Sequence, residues 1–497
     1  MVKSKKQNNN RKVFFCLYAL TEKKIPSVLL VILIGIIVGG GVAINPIAIL
    51  GILLLPCLMA LTYVNPYQVF VGILIYLPLE RFFLAWLPVN IDNILSAGPE
   101  ALCIFIIVCM LVKNNFKIPK LNIVDYCLCL IVTWAILTSI IHESSMFDVI
   151  AGFRLFFRGL LIYWIIRLTS LKSEVLFKDF SKVLVIMSIC QSILGILQIV
   201  GKKVTPSYWN SFGANGIMQN SLFGVQGTFG RYDQYGMFLS FAAIVLLSKY
   251  IYHQKEKLTL FAVGLSVIGI FISTSRQALV LFIIGALILF LPSLKRIANL
   301  KITFVITYVV LFVSLLAYWF MPSLNLDVNG RNPFELFSSL FDPETYNAQQ
   351  NVNFRMYYLL NVGPWLMENH FWGMGLGTFG AMFSLDEYTP LYYSLGLKDN
   401  FLNYIADVNW VSVVGQLGVP GVLLILTSWV SLAISSFIKG NLSPKYKAIF
   451  LTTTAITVCF TLSGLFGPNF EIKTNAMFFW LLLGLFSKIE KNSLKQN

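Results

Sequence analysis

Two arginines, Arg154 and Arg158, stand one helical turn apart in the apolar run GFRLFFRGLLIYWIIR. At the centre of a bilayer an arginine costs about 2.5–3.5 kcal/mol on insertion scales, so such residues mark functional sites by default. Their i,i+4 spacing lays like charges side by side, which is unfavourable unless an anion lies between them. Two anions qualify. One is a carboxylate of the chain itself, with Glu80 or Asp148 as candidates; the other is the phosphate of a lipid-linked ligand. Guanidinium suits phosphate because its planar fork meets the oxygens two at a time and stays charged. Three further arginines have settings from which they could join the same anion. Arg231 lies in GTFGRYDQYGMF, Arg276 in FISTSRQALV and Arg355 in NVNFRMYYLL.

The elements that must position them are membrane helices. Of the 497 residues, 57% are hydrophobic and only 12% charged, and a mean hydropathy of +0.76 excludes an ordinary soluble domain. The expected fold is all-α, a polytopic membrane protein with about 14 transmembrane helices, each covering roughly 30 Å of hydrocarbon. It is expected to form one integral membrane domain over residues 1–497, with 321–408 a large extracytoplasmic loop carrying short helices. The run 67–87 is the weakest span, interrupted by Pro78, Glu80 and Arg81, and 147–168 reads as one continuous span. In a straight helix Arg154 would lie about 10 Å deep and Arg158 about 16 Å deep.

Lysine sets the topology. With the basic N-terminus inside as a retained anchor, the connections around Lys113–Lys120, Lys172–Lys182, Lys255–Lys257, Lys295–Lys301 and Lys439–Lys447 also fall inside. Lys202, Lys203, Lys398 and Lys473 are the exceptions. Most arginines, by contrast, fall in the outer half of the membrane or beyond it. The net charge of +15 is mostly lysine facing anionic headgroups, so membrane lipids rather than nucleic acid are the expected contact. Eight cysteines in or beside apolar runs and three scattered histidines give neither a disulfide framework nor a metal cluster. No glycine-rich loop ahead of a lysine points to a nucleotide, and no cofactor is expected.

In order along the chain come Gly227-Thr228-Phe229 opening a span, Ser275-Arg276 at an outer turn, Arg355, then ENHFWGMGLGTFG and DVNWVSVVGQLGVPG. This pattern resembles the bacterial O-antigen ligase and polysaccharide polymerase superfamily. Gly373, Gly375 and Gly377 fit its glycine turn, with Phe371 where a proline usually precedes it. The resemblance implies a metal-independent, inverting glycosyltransferase of the bacterial cytoplasmic membrane with its site facing outside. Its donor and acceptor would be glycans linked to polyprenyl pyrophosphate, joined into a surface polysaccharide such as capsule, exopolysaccharide or O-antigen. Flippase and chain-length regulator proteins are the expected protein partners. Arg276, Arg355 and Asp407 take the catalytic roles, Arg154, Arg158 and Arg231 bind pyrophosphate, and His370 is a second candidate base. Ligases of the family carry a histidine about eleven residues before the first glycine of a Gly-x-x-Gly pair, here Gly418 and Gly421; this chain has Asp407 there. An aspartate can accept the acceptor's proton, although Asp also suits a helix N-cap. The substitution favours a polymerase over a ligase that moves finished glycan to lipid, wall or protein. A lipid-linked oligosaccharide flippase stays open as the rival from another class, although no two-fold internal repeat of the transporter kind is evident.

Overall fold

Every regular element is helical among the residues that the computed structural model describes, 58–84, 96–204, 224–294, 358–380, 392 and 408–493. The contacts divide the chain into two units, Met1–Pro66 and Tyr67–Asn497. The elements below lie in the second, apart from Pro66 itself. They are α1 (Pro66–Tyr76), a 3-10 turn (Leu77–Leu79), α2 (Glu80–Leu84), α3 (Gly98–Lys113), α4 (Ile123–Ile141), α5 (Met146–Phe157) and α6 (Gly159–Leu168). Then come α7 (Ser173–Val204), α8 (Tyr232–Tyr252), α9 (Lys257–Ser273), α10 (Arg276–Leu294), α11 (Gly363–Asn369), α12 (Asn409–Leu442), α13 (Lys447–Ser463) and α14 (Lys473–Ser493). A π-helical turn, Tyr358–Val362, leads into α11. It and α11 are the described part of the short helices expected in the long loop.

Among the described residues five helices are long and apolar enough to cross a membrane, Pro66–Leu84 taken as one together with α4, α7, α8 and α12. The α5–α6 pair makes a sixth if counted as one bent span. The described residues therefore support a multi-pass membrane protein but do not confirm about fourteen spans. The runs near 25–44 and 302–320 lie outside them. The run 67–87 does qualify, its break taking the form of the 3-10 turn.

The expectation of a continuous span over 147–168 needs correcting. The helix bends by 55° between α5 and α6, with Arg158 as the joint residue, so depths counted along a straight helix do not apply. Gly159 follows the bend directly, and a Cβ there would overlap the Trp480 ring of α14, so α6 and α14 approach closely at that point.

Helix α8 is buried nearly all round and packs against α9, α10 and α13, while α6 lies between α3 and α14 and α12 contacts both α4 and α13. One end of the α4–α6–α14 group is fastened by a buried ion pair, Arg167 to Asp125 at 2.7 Å, with both side chains 1% exposed. Arg167 also donates to the carbonyls of Ser487 (3.0 Å) and Lys120 (2.8 Å), and Tyr163 donates to Asp125 at 2.5 Å. Asn122 and Asp125 form a reciprocal capping box at the start of α4. These bonds satisfy groups that would be very costly to bury alone.

Helix α12 breaks at Gly418 (φ 68°, ψ −176°), two residues before Pro420. Pro420 has no N–H, so the break leaves the carbonyls of Gly415, Gln416 and Leu417 without their helical donors. Each is answered from outside the helix. The Met374 N–H donates to Gly415 O (2.8 Å), the Gly375 N–H to Gln416 O (2.9 Å) and the Trp134 indole to Leu417 O (2.8 Å). The displaced Val419 N–H donates to Phe371 O at 2.8 Å. Two glycine motifs far apart in the sequence thus form one interlocked joint.

Candidate functional site

The joint lies against the arginine helix. The loop glycines 373, 375, 377 and 380 all have φ between 69° and 97°. The Gly377 N–H donates to the Gln416 side chain at 2.7 Å, and Leu376 N–H to Ser139 Oγ at 2.9 Å. A Cβ on Gly152 of α5 would stand 2.5 Å from Gly377 N. Helix α5 therefore rests on the loop backbone at a point two residues before Arg154 and six before Arg158. Its start is capped by Ser145, whose hydroxyl accepts from Asp148 N–H at 3.1 Å.

The anion between the two arginines is Glu100, at the start of α3, rather than Glu80 or Asp148. Arg154 Nε donates to Glu100 Oε2 at 2.5 Å, and Arg158 Nη1 lies 3.6 Å from Glu100 Oε1. Asp148 instead accepts from Ser145, and Glu80 pairs with Lys473 at the start of α14. Lys473 also donates to the Ser96 carbonyl, and Arg158 Nη2 to the Glu471 carbonyl. Glu80, Glu100, Arg158 and Lys473 thus form a largely buried charge cluster, with the exposed Arg154 at its edge and Glu471 beside it.

The arginines differ in what they have left to offer. The Arg158 side chain is 8% exposed and holds the connection before α14. Arg154 is 45% exposed, and only its Nε is engaged among the described residues.

The connection Gly464–Ile472 between α13 and α14 gathers three of the sequence-selected regions. Arg158 donates to the Glu471 carbonyl. Gln277, next to Arg276, donates to Ser463 O at 2.9 Å and packs against Gly467. The Trp410 N–H donates to Gly464 O at 3.2 Å, and Phe470 N–H donates to Asn409 Oδ1 at 3.0 Å. Arg276 itself is half-buried as the first residue of α10. Asp407 and Arg355 lie outside the described residues. The N-cap of α12 is Val408, which makes no side-chain cap bond.

Other selected residues take their own places. Arg231 makes a two-point bond with Asp233 (3.0 and 2.8 Å) at the start of α8. Gly227 and Thr228 are clamped by Gln198 and Gln191 of α7, and Thr228 also donates to the Pro78 carbonyl of the 3-10 turn. The Gly-Thr-Phe stretch is thereby a buried tie, not an open phosphate loop.

His370 ends α11, 5.3 Å from the Trp365 ring. Burial, and then the neighbouring His142, hold its imidazole below the ordinary histidine range. The unfolded chain then binds more protons than the folded one as pH falls, so stability rises with pH through this group. Its contribution is full above a pH of about 6.5 and is lost as the pH drops below it. The melting temperature is expected to fall between pH 7 and pH 5, and to fall less steeply in His370→Phe; equal slopes would exclude this group as the cause.

Sequence comparison adds to this geometry. A family model described as O-antigen ligase matches residues 261–426. This segment is similar to the O-antigen ligases. The match supports the superfamily resemblance and a glycan-transfer type of function. The ligase-like segment runs from α9 into α12 and so includes Arg276, Arg355, the glycine loop, Asp407 and the Gly418 break. The comparison with curated proteins gives no match.

Glu100, Glu471 and Lys473 were not singled out by the sequence as site residues. A signal did exist, since Glu100 is a carboxylate inside an apolar run and Lys473 an exception to the lysine bias.

Proposed function

We propose that the chain joins glycan units carried on polyprenyl pyrophosphate, as a polymerase of surface polysaccharide, at the outer face of the bacterial cytoplasmic membrane. The observation that carries this reading is the Gly464–Ile472 connection, which ties together Arg158, the Arg276 end of α10 and the start of α12 that follows Asp407. The ligase-type family match supports it. In the reaction, an acceptor hydroxyl oxygen attacks the donor's anomeric carbon and its proton passes to the Asp407 carboxylate. The bond from that carbon to the phosphate oxygen breaks with inversion, and polyprenyl pyrophosphate leaves. Negative charge builds on the departing diphosphate, where preorganised guanidinium groups stabilise the transition state most. Arg154, Arg276 and Arg355 are the proposed contacts, with Arg158 behind them and Arg231 at the margin; His370 is the reserve base. No metal or cofactor is required, because the pyrophosphate linkage supplies the driving force.

Transfer of a finished glycan to a lipid, wall or protein acceptor is the second reading, favoured by the description of the matched model. Only the product separates the two. Arg276→Lys tests both, because it keeps the charge and loses the fork. Transfer is expected to drop about 10²-fold, the usual cost of one oxyanion-type donor, with membrane expression unchanged. Normal glycan length profiles in this variant would remove Arg276 from the chemistry. Flipping without joining in reconstituted vesicles would favour the flippase.

A further inference from the structure

The residues next to the arginine bend enclose a space. A cavity of about 40 Å³, partly open to the outside of the protein, lies between α4, α5, α12, α13 and α14. Phe156, Phe157, Trp429, Phe460, Phe470 and Trp480 form its aromatic walls, and leucine and isoleucine complete the lining. That volume takes roughly three water-sized groups, and an apolar cavity stays dry and admits apolar matter instead. The rings brace one another rather than falling inward. Trp429 and Phe470 meet edge to face with centroids 5.1 Å apart, and Phe460 and Phe470 lie 5.2 Å apart. Interiors are otherwise close-packed, so an empty space with such walls forfeits contacts that an apolar ligand would restore.

Three links set the cavity beside the cations. Phe157 directly precedes Arg158 and stands three residues after Arg154 on α5, so it shares a helix face with the exposed guanidinium. Trp480 meets Gly159, the residue after Arg158, where a Cβ would overlap its ring. Phe470 directly precedes Glu471, whose carbonyl accepts from Arg158. A ligand that fits both parts must change from anion to hydrocarbon within about one side chain's reach. A phospholipid changes more slowly, because glycerol and ester groups stand between its phosphate and its acyl chains. In a polyprenyl pyrophosphate the first isoprene carbon is bonded to the phosphate oxygen itself, and hydrocarbon begins there.

We propose that this aromatic cavity seats the isoprene unit bonded to the diphosphate of the lipid carrier, and so positions the leaving group against the arginines. The inference rests on the glycan-transfer reading and adds to it the place of the carrier's first apolar unit.

The test is photo-crosslinking on the full-length protein in nanodiscs, with labelled residues mapped by mass spectrometry. Three probes are compared: polyprenyl pyrophosphate with a diazirine on its first isoprene unit, the same lipid with the diazirine at the far end of the chain, and phosphatidylglycerol with a diazirine in an acyl chain. The first probe is expected to label Phe157, Trp429 or Phe470 about tenfold more than the second, the discrimination that burying a few carbons supplies. Unlabelled polyprenyl pyrophosphate should compete that label away. Leu128→Phe narrows the space and should reduce the label by a similar factor; should it fail to fold, the three probes on the wild-type chain decide alone. Equal labelling from both ends of the chain, or labelling elsewhere, makes the cavity a packing void and overturns the proposal. Labelling by phosphatidylglycerol that polyprenyl pyrophosphate does not displace assigns the space to a membrane phospholipid and also overturns it. Transfer assayed on the same nanodiscs separates the two claims. Transfer without cavity labelling overturns the isoprene seat alone, whereas cavity labelling without transfer supports the seat and overturns the glycan-transfer reading.

Discussion

Replacing Glu100 with glutamine is expected to destabilise the folded chain by about 3–5 kcal/mol, the cost of breaking a buried ion pair from one side. Glu100 separates two guanidinium groups one turn apart, at 2.5 Å from Arg154 Nε and 3.6 Å from Arg158 Nη1. Without the carboxylate, the repulsion between them is uncompensated at Arg158, which is too buried to turn towards solvent. The bend between α5 and α6 lies at that residue, so the disturbance spreads to the helix that rests on the glycine loop. Thermal melting of the purified protein in detergent measures the loss. Glu100→Gln combined with Arg158→Met should recover part of it, because the stranded cation is removed together with its partner. Melting of Glu100→Gln at the wild-type temperature would mean that Glu100 does not hold the arginines in place.

The second large effect is expected at Gly418. Its backbone lies in a region open essentially to glycine alone, and a Cβ there would stand 2.3 Å from both Phe371 O and Trp372 C. Those neighbours are backbone atoms and cannot swing aside. Gly418→Ala should cost about 3 kcal/mol or more from dihedral strain and displaced backbone together. It should also undo the bonds from Met374 and Gly375 to α12, and with them transfer activity in any protein that still inserts. Gly264→Ala is the control: a Cβ there meets nothing within 4 Å, and alanine is the better helix former. The same melting assay, run beside glycan length profiles, separates the two variants. Equal behaviour would mean that the break in α12 tolerates a side chain and does not hold the loop.

Much of this architecture is readable from residue type and spacing. The apolar runs locate α4, α7, α8 and α12 because a bilayer demands unbroken hydrophobic length. The glycines of GMGLG and GQLGVPG mark the joint because positive φ and close backbone approach exclude other residues. Partners across the fold were less legible. Arg154 and Arg158 announce the need for an anion, but periodicity along one helix does not say which carboxylate a different helix brings. Glu100 lies 54 residues from Arg154, and Glu80 393 residues from Lys473. The bend at Arg158 was equally hidden, since Gly159 is tolerated in a straight helix and becomes informative only beside Trp480. Lys473 shows how an exception carries information: a lysine that departs from the expected lysine bias has a partner in Glu80.

The Arg167 fastening has a consequence for how the protein is made. Its bonds reach Asp125 in α4 and the Ser487 carbonyl in α14, 320 residues further along the chain than Arg167. Asn122 donates to that same carbonyl at 3.1 Å, and the Ser487 hydroxyl donates to the Tyr163 oxygen at 3.1 Å. While the ribosome is still adding residues short of 487, these donors have only part of their final company. Arrival of the last described helix therefore works as a closing clasp on α4 and α6.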